Sequence, residues 1–157
     1  MLLLFNINLY LLIHNLMIMS GKITFTIIKP DAVNAGFAAK ILQKIIDNDF
    51  KIKALKLLQL NLVQVESFYS VHRDRPFFKS LVDFMSSGPV IAAILEKENA
   101  VVDFRVLIGA TNPAEAANGT IRKLFASSVQ QNAIHGSDCD ENAQIESDFF
   151  FSQLERH

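Results

Sequence analysis

One histidine, His135, stands between a short apolar run and a glycine in the stretch Asn132-Ala133-Ile134-His135-Gly136-Ser137-Asp138. Neutral imidazole is a competent nucleophile near neutrality, because its ordinary pKa is about 6.5. A ring on such a turn is partly exposed and held by its neighbours. Taken alone, the same stretch also describes a capped strand-to-helix junction with an incidental histidine. What separates the two readings is whether other segments supply partners for the ring.

Three groups of residues are candidates. Lys29 ends an apolar strand and precedes Pro30. It is either a solvated lysine or an ammonium aimed at a phosphate or sugar beyond the sheet's carboxyl edge. Tyr69, His72, Arg73, Arg75, Pro76, Phe77 and Phe78 form a dense polar and aromatic group. Adjacent Phe77 and Phe78 cannot share one face of a helix. One can enter the core while the other faces a cleft, where an aromatic face stacks a nucleobase without reading its identity. Arg105, Thr111 and Arg122 flank Gly109 and a short helix. They are either routine surface charge or a polyphosphate clamp, since guanidinium forks match phosphate oxygens. No GxxxxGK[ST] loop is present, which excludes a Walker-type cradle. The kinase Gly-rich and catalytic loops are absent too.

Composition narrows the field. A chain of 157 residues, half of them hydrophobic, suits one compact domain with a real core. With 15 basic and 16 acidic residues there is no bulk positive field to hold a nucleic-acid backbone. The single cysteine, Cys139, cannot form an internal disulfide, which suits a reducing cytoplasm. No Cys/His cluster has zinc spacing.

The elements that must position these residues are legible as patterns. Ile23 to Ile28 alternates Ile and Phe with Thr, a half-buried strand. Ala38, Ile41, Leu42 and Ile45 trace a helical stripe. Lys51 to Leu60 is a second strand whose alternation breaks near Lys56, so a bulge is expected there. Asn61-Leu62-Val63-Gln64 has the form of a capping box opening a helix through Tyr69. Pro76 suits the first turn of a further helix, which Gly88-Pro89 stops. The continuous apolar run Val90 to Leu95 is a central strand covered on both faces. Ala100 to Ile108 is helical, Ala110 to Gly119 is a loop, and Thr120 caps a short helix through Phe125. Asn132 to His135 is a last short strand. A final helix, with acids at its start, runs to about Leu154. This order fits an α+β sandwich of the ferredoxin-like, split βαβ kind: a four-stranded antiparallel sheet covered by helices, with the helices on one side.

Five segments then carry a family likeness: Thr26-Ile27-Ile28-Lys29-Pro30-Asp31-Ala32, Arg73-Asp74-Arg75-Pro76-Phe77-Phe78, Gly109-Ala110-Thr111-Asn112-Pro113, Gly119-Thr120-Ile121-Arg122 and the His135 stretch. Together, in this order, they resemble nucleoside diphosphate kinase from about Ile23 to Phe151. The resemblance implies transfer of the γ-phosphate of a nucleoside triphosphate, typically ATP, to a nucleoside diphosphate. The route it implies is ping-pong, through a phosphohistidine on His135. It implies that Lys29 contacts phosphate and ribose, Asn132 holds a sugar hydroxyl, and Arg105, Thr111 and Arg122 bind phosphate. Phe77 would stack on the base, Tyr69 and His72 would line the phosphate end, and Glu146 would orient the histidine ring.

Magnesium (Mg2+) would ride on the nucleotide phosphates rather than in a protein cage. The resemblance further implies a homo-oligomer, a tetramer or hexamer built on a common dimer; a cytoplasmic location is expected, with no nucleic acid as partner and no membrane unless residues 1–19 serve as an anchor. Cys139 stands where the family usually has Ser. Gln144 stands where an acid is often found. Two rivals fit less well. A non-catalytic interaction module would not need Lys29, Arg105, Arg122 and His135 all intact. An RNA-binding domain would need aromatics in the central strand, and Val90 to Leu95 has none.

Residues 20–157 thus form the expected catalytic domain, and residues 1–19 differ from it. They contain no Lys, Arg, Asp, Glu, Gly or Pro. A spanning helix needs about 20 mostly apolar residues, and Asn6, Asn8, His14 and Asn15 interrupt this stretch. A signal peptide's basic start and small-residue cleavage site are missing. The reading adopted is a start codon assigned upstream of the working one at Met19; a membrane anchor is the alternative. Intact-mass measurement on protein from the native host is expected to give a chain starting at or after Met19. A mass beginning at Met1 overturns that expectation.

Overall fold

A computed structural model describes residues 21–157; the apolar stretch at residues 1–19 lies outside them. The elements in chain order are β1 (Ile23–Ile28), α1 (Pro30–Asn34), α2 (Ala38–Ile46), β2 (Lys51–Gln59), α3 (Leu62–Phe68), α4 (Phe78–Met85), β3 (Pro89–Glu96), α5 (Ala100–Ile108), α6 (Ile121–Phe125), β4 (Ile134–Gly136) and α7 (Asp140–Phe150). Short 3₁₀ turns cover Ser70–His72 and Gln153–Glu155. The sheet order is β2-β3-β1-β4, and every neighbouring pair is antiparallel. This is the split βαβ, ferredoxin-like arrangement expected.

The helices cover both faces of the sheet rather than one. One cluster joins Phe25 and Ile27 of β1 with Val65 and Tyr69 near α3, Met85 of α4 and Phe150 of α7. A second joins Ile28 with Ile41 and Ile45 of α2, Phe104 and Ile108 of α5, and Ile134 of β4. Alternate β1 side chains feed the two clusters, as the strand period demands. For the same reason β1 is not half-buried: Thr24 and Thr26 are buried as well. The Thr26 hydroxyl is satisfied by donating to the His135 carbonyl oxygen at 2.7 Å. β3 is covered on both faces, as its apolar run predicts.

Several boundaries differ from expectation, each for a local reason. Pro30 starts α1 instead of merely ending β1, because its fixed φ and missing N–H suit a first helical turn. The β2 bulge lies between Ile52 and Ala54, not at Lys56. Lys56 stays in register opposite Ala92, and its ammonium crosses to the last carbonyl of α7, donating to Phe150 O at 2.8 Å. The capping box at Asn61 and Gln64 forms as predicted. α4 begins at Phe78, so Pro76 falls in the turn before it; the Phe78 N–H donates back to Arg75 O at 2.9 Å. Thr120 precedes α6, but its hydroxyl donates to Ala117 O at 2.7 Å and leaves the helix uncapped by a side chain. β4 is shifted to Ile134–Gly136, because Ala133 takes a left-handed φ of 68°. α7 stops at Phe150, short of Leu154, since Phe151 turns extended to enter the core.

Gly136 shows how tightly β4 is packed. A Cβ there would lie 2.8 Å from the fully buried ring of Phe104. Gly136→Ala is therefore expected to lower stability by about 1–3 kcal/mol through overpacking. Urea unfolding checks this, and an unchanged midpoint would count against the packing described.

Candidate active site

His135 sits at the centre of β4, opposite Ile27 of β1. Its neighbours Ile134 and Gly136 are buried, Gly136 lying against Phe104 and Ile108 of α5. The imidazole is partly exposed, at 21 % of its side-chain surface. Three rings pack around it: Phe68 edge-on at 5.8 Å, Tyr69 edge-on at 6.4 Å and Phe25 tilted at 6.2 Å between centroids. Its Nε2 lies 2.9 Å from Glu146 Oε1. Glu146 projects from α7, and its second oxygen accepts a bond from the Ser137 hydroxyl at 2.5 Å. Ser137 is fully buried, and its Oγ also accepts the Phe25 N–H at 3.1 Å. The ring is thus tied through a carboxylate and a hydroxyl to the backbone of a central strand. With Glu146 accepting from Nε2–H, Nδ1 is left as the unprotonated nitrogen of the neutral ring.

A cation set lies beside it. Lys29 follows β1, and its Nζ donates to Asn132 Oδ1 at 2.7 Å. Burial first, and Arg122 second, lower its pKa from the usual 10.5 to about 8, with Asp31 opposing them. Arg122 on α6 donates to Gly109 O at 2.8 Å and Ile134 O at 3.0 Å. Burial, then Arg105, lower its pKa to about 10. Its Nε is buried without a partner. Arg105 on α5 is exposed and close enough to act on both Arg122 and Asp138. Gly109, with φ of 84°, ends α5 pressed against Thr120, where a Cβ would come within 2.5 Å of the hydroxyl oxygen. This tight passage brings α5 and α6 together, and with them the two arginines.

The aromatic group forms a line leading away from His135. Tyr69 stacks with His72 at 6.4 Å, and His72 lies 5.6 Å from Phe77. Phe77 is half-exposed, while Phe78 packs against the core, so the adjacent pair does split between cleft and interior. The Tyr69 hydroxyl is buried without a partner, and burial followed by Glu146 raises its pKa, keeping the phenol protonated.

The structure therefore brings His135, Glu146, Lys29, Asn132, Arg122, Tyr69, His72 and Phe77 together. Thr111 is less closely engaged: it is exposed, and its carbonyl oxygen, not its hydroxyl, accepts Asn132 Nδ2 at 3.5 Å. Cys139 precedes α7 but makes no side-chain cap bond. Gln144 faces outward, paired with Asp148 at 2.9 Å. Asp31 was not singled out from sequence. Its Oδ2 accepts the Ala133 N–H at 3.0 Å, a role that its place in the Thr26–Ala32 segment, two residues past Lys29, does not reveal.

No group of three or more His, Cys, Asp or Glu among the described residues is placed to hold a metal ion. His135 has a single carboxylate, Glu146, against it, with the cations Lys29 and Arg122 on the segments that flank β4, a set that lacks the converging ligands a resident cation needs. Likewise, no helix among the described residues is long and apolar enough to cross a membrane.

Comparison with known proteins fits this geometry. The family model described as nucleoside diphosphate kinase matches residues 22–156. A nucleoside diphosphate kinase of Lawsonia intracellularis is 57% identical over 133 residues, covering 85% of this chain and 96% of that protein. One from Flavobacterium psychrophilum is 56% identical over 138 residues, covering 88% and 99%. The crystal structure of the Aquifex aeolicus nucleoside diphosphate kinase superposes with a TM-score of 0.85 at 47% identity, covering 87% of this chain and 99% of that one. The Halobacterium salinarum nucleoside diphosphate kinase, solved in complex with CDP, gives 0.84 at 34% identity, covering 87% and 91%. Fold and relatives make this chain a phosphotransferase. It belongs to the nucleoside diphosphate kinase family.

Two buried cations with lowered pKa values predict a pH-dependent anion site. Lys29 is charged below about 8 and loses its proton as pH rises through that value, so anion affinity falls there. Sulfate keeps its charge over this range and isolates the protein's contribution. The thermal shift produced by sulfate is expected to shrink between pH 7 and 9 by several-fold in affinity terms. In Lys29→Met it is expected to be smaller and flat. A wild-type shift that does not change with pH refutes the assignment.

Proposed function

We propose that this phosphotransferase moves the γ-phosphate of a nucleoside triphosphate, typically ATP, to a nucleoside diphosphate by a ping-pong route through His135. The observation that carries the reading is the His135–Glu146 contact of 2.9 Å. It occupies Nε2 and leaves the Nδ1 lone pair free. In the first half-reaction Nδ1 attacks the γ-phosphorus. The N–P bond forms, the bond from phosphorus to the bridging oxygen breaks, and that electron pair leaves on the nucleoside diphosphate. Positive charge then spread over the imidazole is stabilised by the Glu146 carboxylate. In the second half-reaction a terminal oxygen of another diphosphate attacks the same phosphorus, and the N–P electron pair returns to Nδ1. Nothing is consumed beyond the phosphoryl group.

The remaining residues supply positioning and charge, which is most of what phosphoryl transfer requires. Lys29, Arg105 and Arg122 offset the charge of the phosphates, with Thr111 at the edge of that set. Asn132 and Lys29 hold the sugar. Tyr69 and His72 line the phosphate end, and Phe77 carries the base on an exposed aromatic face. Stacking there tolerates any base, which suits broad specificity and balancing of nucleotide pools. Magnesium enters with the substrate, bound to its phosphates and to water, since it dehydrates reluctantly.

The same reading places the enzyme in the cytoplasm as a homo-oligomer, a tetramer or hexamer. Exposed Leu55 and Leu57 on the outer strand β2 support self-association. The unpaired Cys139 suits a reducing compartment.

Incubation with γ-labelled ATP tests the mechanism. Acid-labile, base-stable label is expected on the protein, discharged on adding any nucleoside diphosphate. His135→Ala is expected to lose both label and turnover. Label that persists in that variant refutes the role given to His135.

A further inference from the structure

Ala133 is the one alanine among the described residues with positive φ, 68°, and it is fully buried. The left-handed region is strained for any residue with a Cβ, so something must hold Ala133 there. Two bonds do so, one at each end of the residue. Its N–H donates to Asp31 Oδ2 at 3.0 Å, and its carbonyl accepts the Lys29 N–H at 2.9 Å. Both partners lie at the start of α1. The two groups belong to successive peptide units whose relative orientation is set by the φ and ψ of Ala133, so rotating the residue out of the left-handed region would break at least one of these bonds.

The residues on either side depend on that conformation. Asn132 before it receives the Lys29 ammonium, and Ile134 after it gives its carbonyl to Arg122. His135 follows directly. Asp31 also faces the buried Lys29 as a charge. The groups acting on Lys29 are Arg122 from α6 and Asp31 from α1, with uncharged Asn132 in contact from the turn before β4. Of the two charged groups only Asp31 favours the ammonium. Its other oxygen, Oδ1, is buried without a partner.

We propose that Asp31 is a positioning residue: one oxygen pins Ala133 in its left-handed conformation, and its charge counterbalances the buried Lys29 ammonium. This rests on the phosphohistidine reading of His135. The two jobs can be separated by substitution. Asp31→Asn keeps an oxygen for the Ala133 N–H but removes the charge. Asp31→Ala removes both.

In Asp31→Asn, burial and Arg122 act on Lys29 unopposed, so its proton is lost at lower pH than in the wild type. The alkaline limb of kcat/KM is expected to move down by about one pH unit. The deficit relative to wild type therefore grows as pH rises. In Asp31→Ala the same limb is expected to move, and on its acid side kcat is expected to fall about tenfold as well, because the nucleophile's strand is no longer held in register. Adding Ala133→Gly to that variant is expected to recover most of the loss, since glycine adopts this φ without a pin. A merely structural role for Asp31 would give neither the shifted limb nor the rescue.

An unshifted limb in Asp31→Asn, or an Asp31→Ala loss that Ala133→Gly does not relieve, overturns the inference. If circular dichroism shows that Asp31→Ala does not fold, the pH profile of Asp31→Asn decides alone. Phosphoenzyme labelling of the wild type is run alongside. Absent wild-type label defeats the functional reading; normal wild-type label with an unshifted Asp31→Asn profile defeats only this inference.

Discussion

The site turns on one carboxylate shared between two hydrogen bonds. Glu146 gives Oε1 to His135 Nε2 and Oε2 to the Ser137 hydroxyl. A carboxylate held at both oxygens cannot rotate, so the imidazole plane is set by the helix that carries it. Ser137 in turn takes the Phe25 N–H, which locks the arrangement to β1. The far end of α7 is held as well, by Lys56 on its last carbonyl, where a cation also complements the helix dipole. Imidazole orientation is therefore a property of the sheet and its covering helix. Side-chain networks of this kind strengthen one another in a low-dielectric setting. That makes the hydroxyl at Ser137 more important to the ring than the side chain at Cys139, which makes no cap bond.

The cations tell the complementary story. Burying Lys29 and Arg122 next to each other opposes folding, since desolvation and like charge both disfavour the ionised forms. Arg122 spends two donors on backbone carbonyls and leaves Nε unpartnered. Such an arrangement is poor design for stability and good design for binding an anion. Perturbed, partly frustrated groups of this type gather at functional sites. In the proposed transfer, the phosphates supply the negative charge the apoprotein lacks, and the cations are already in place when it arrives.

Much of this was legible in the chain, and the exceptions have physical causes. Strands and helices with clear periodicity fell where the pattern placed them: β1, α2, β3 and α5 match closely. The capping box at Asn61 was readable because its two partners are three residues apart. Misreadings came where a distant contact overrode a local signal. Lys56 broke the alternation of β2 without a bulge, because its partner lies on α7, 94 residues away. The hydroxyl of Thr120 was diverted to Ala117, and Phe151 ended α7 by turning inward. Full burial of Thr24 and Thr26 was invisible because alternation cannot reveal a second covering layer. At the site, residue types and spacing pointed to the histidine, the cations and the aromatic line. The function of Asp31 was hidden, because nothing local shows that an alanine 102 residues away needs its carboxylate.

The shortness of β4 links fold and site. β1 could pair with a longer partner, yet pairing with β4 spans only Thr26 to Ile28 opposite Gly136 to Ile134. The left-handed turn at Ala133 ends the ladder one residue before His135's own neighbour. Had β4 continued through Asn132, the strand would have carried that side chain along the sheet rather than toward Lys29. Instead the chain bends, the Lys29 N–H still finds the Ala133 carbonyl, and the Lys29 ammonium meets Asn132 Oδ1. A regular strand end would satisfy the backbone equally well. Only the strained one sets the lysine, the asparagine and the histidine side by side at one edge of the sheet, which is why the strain is retained.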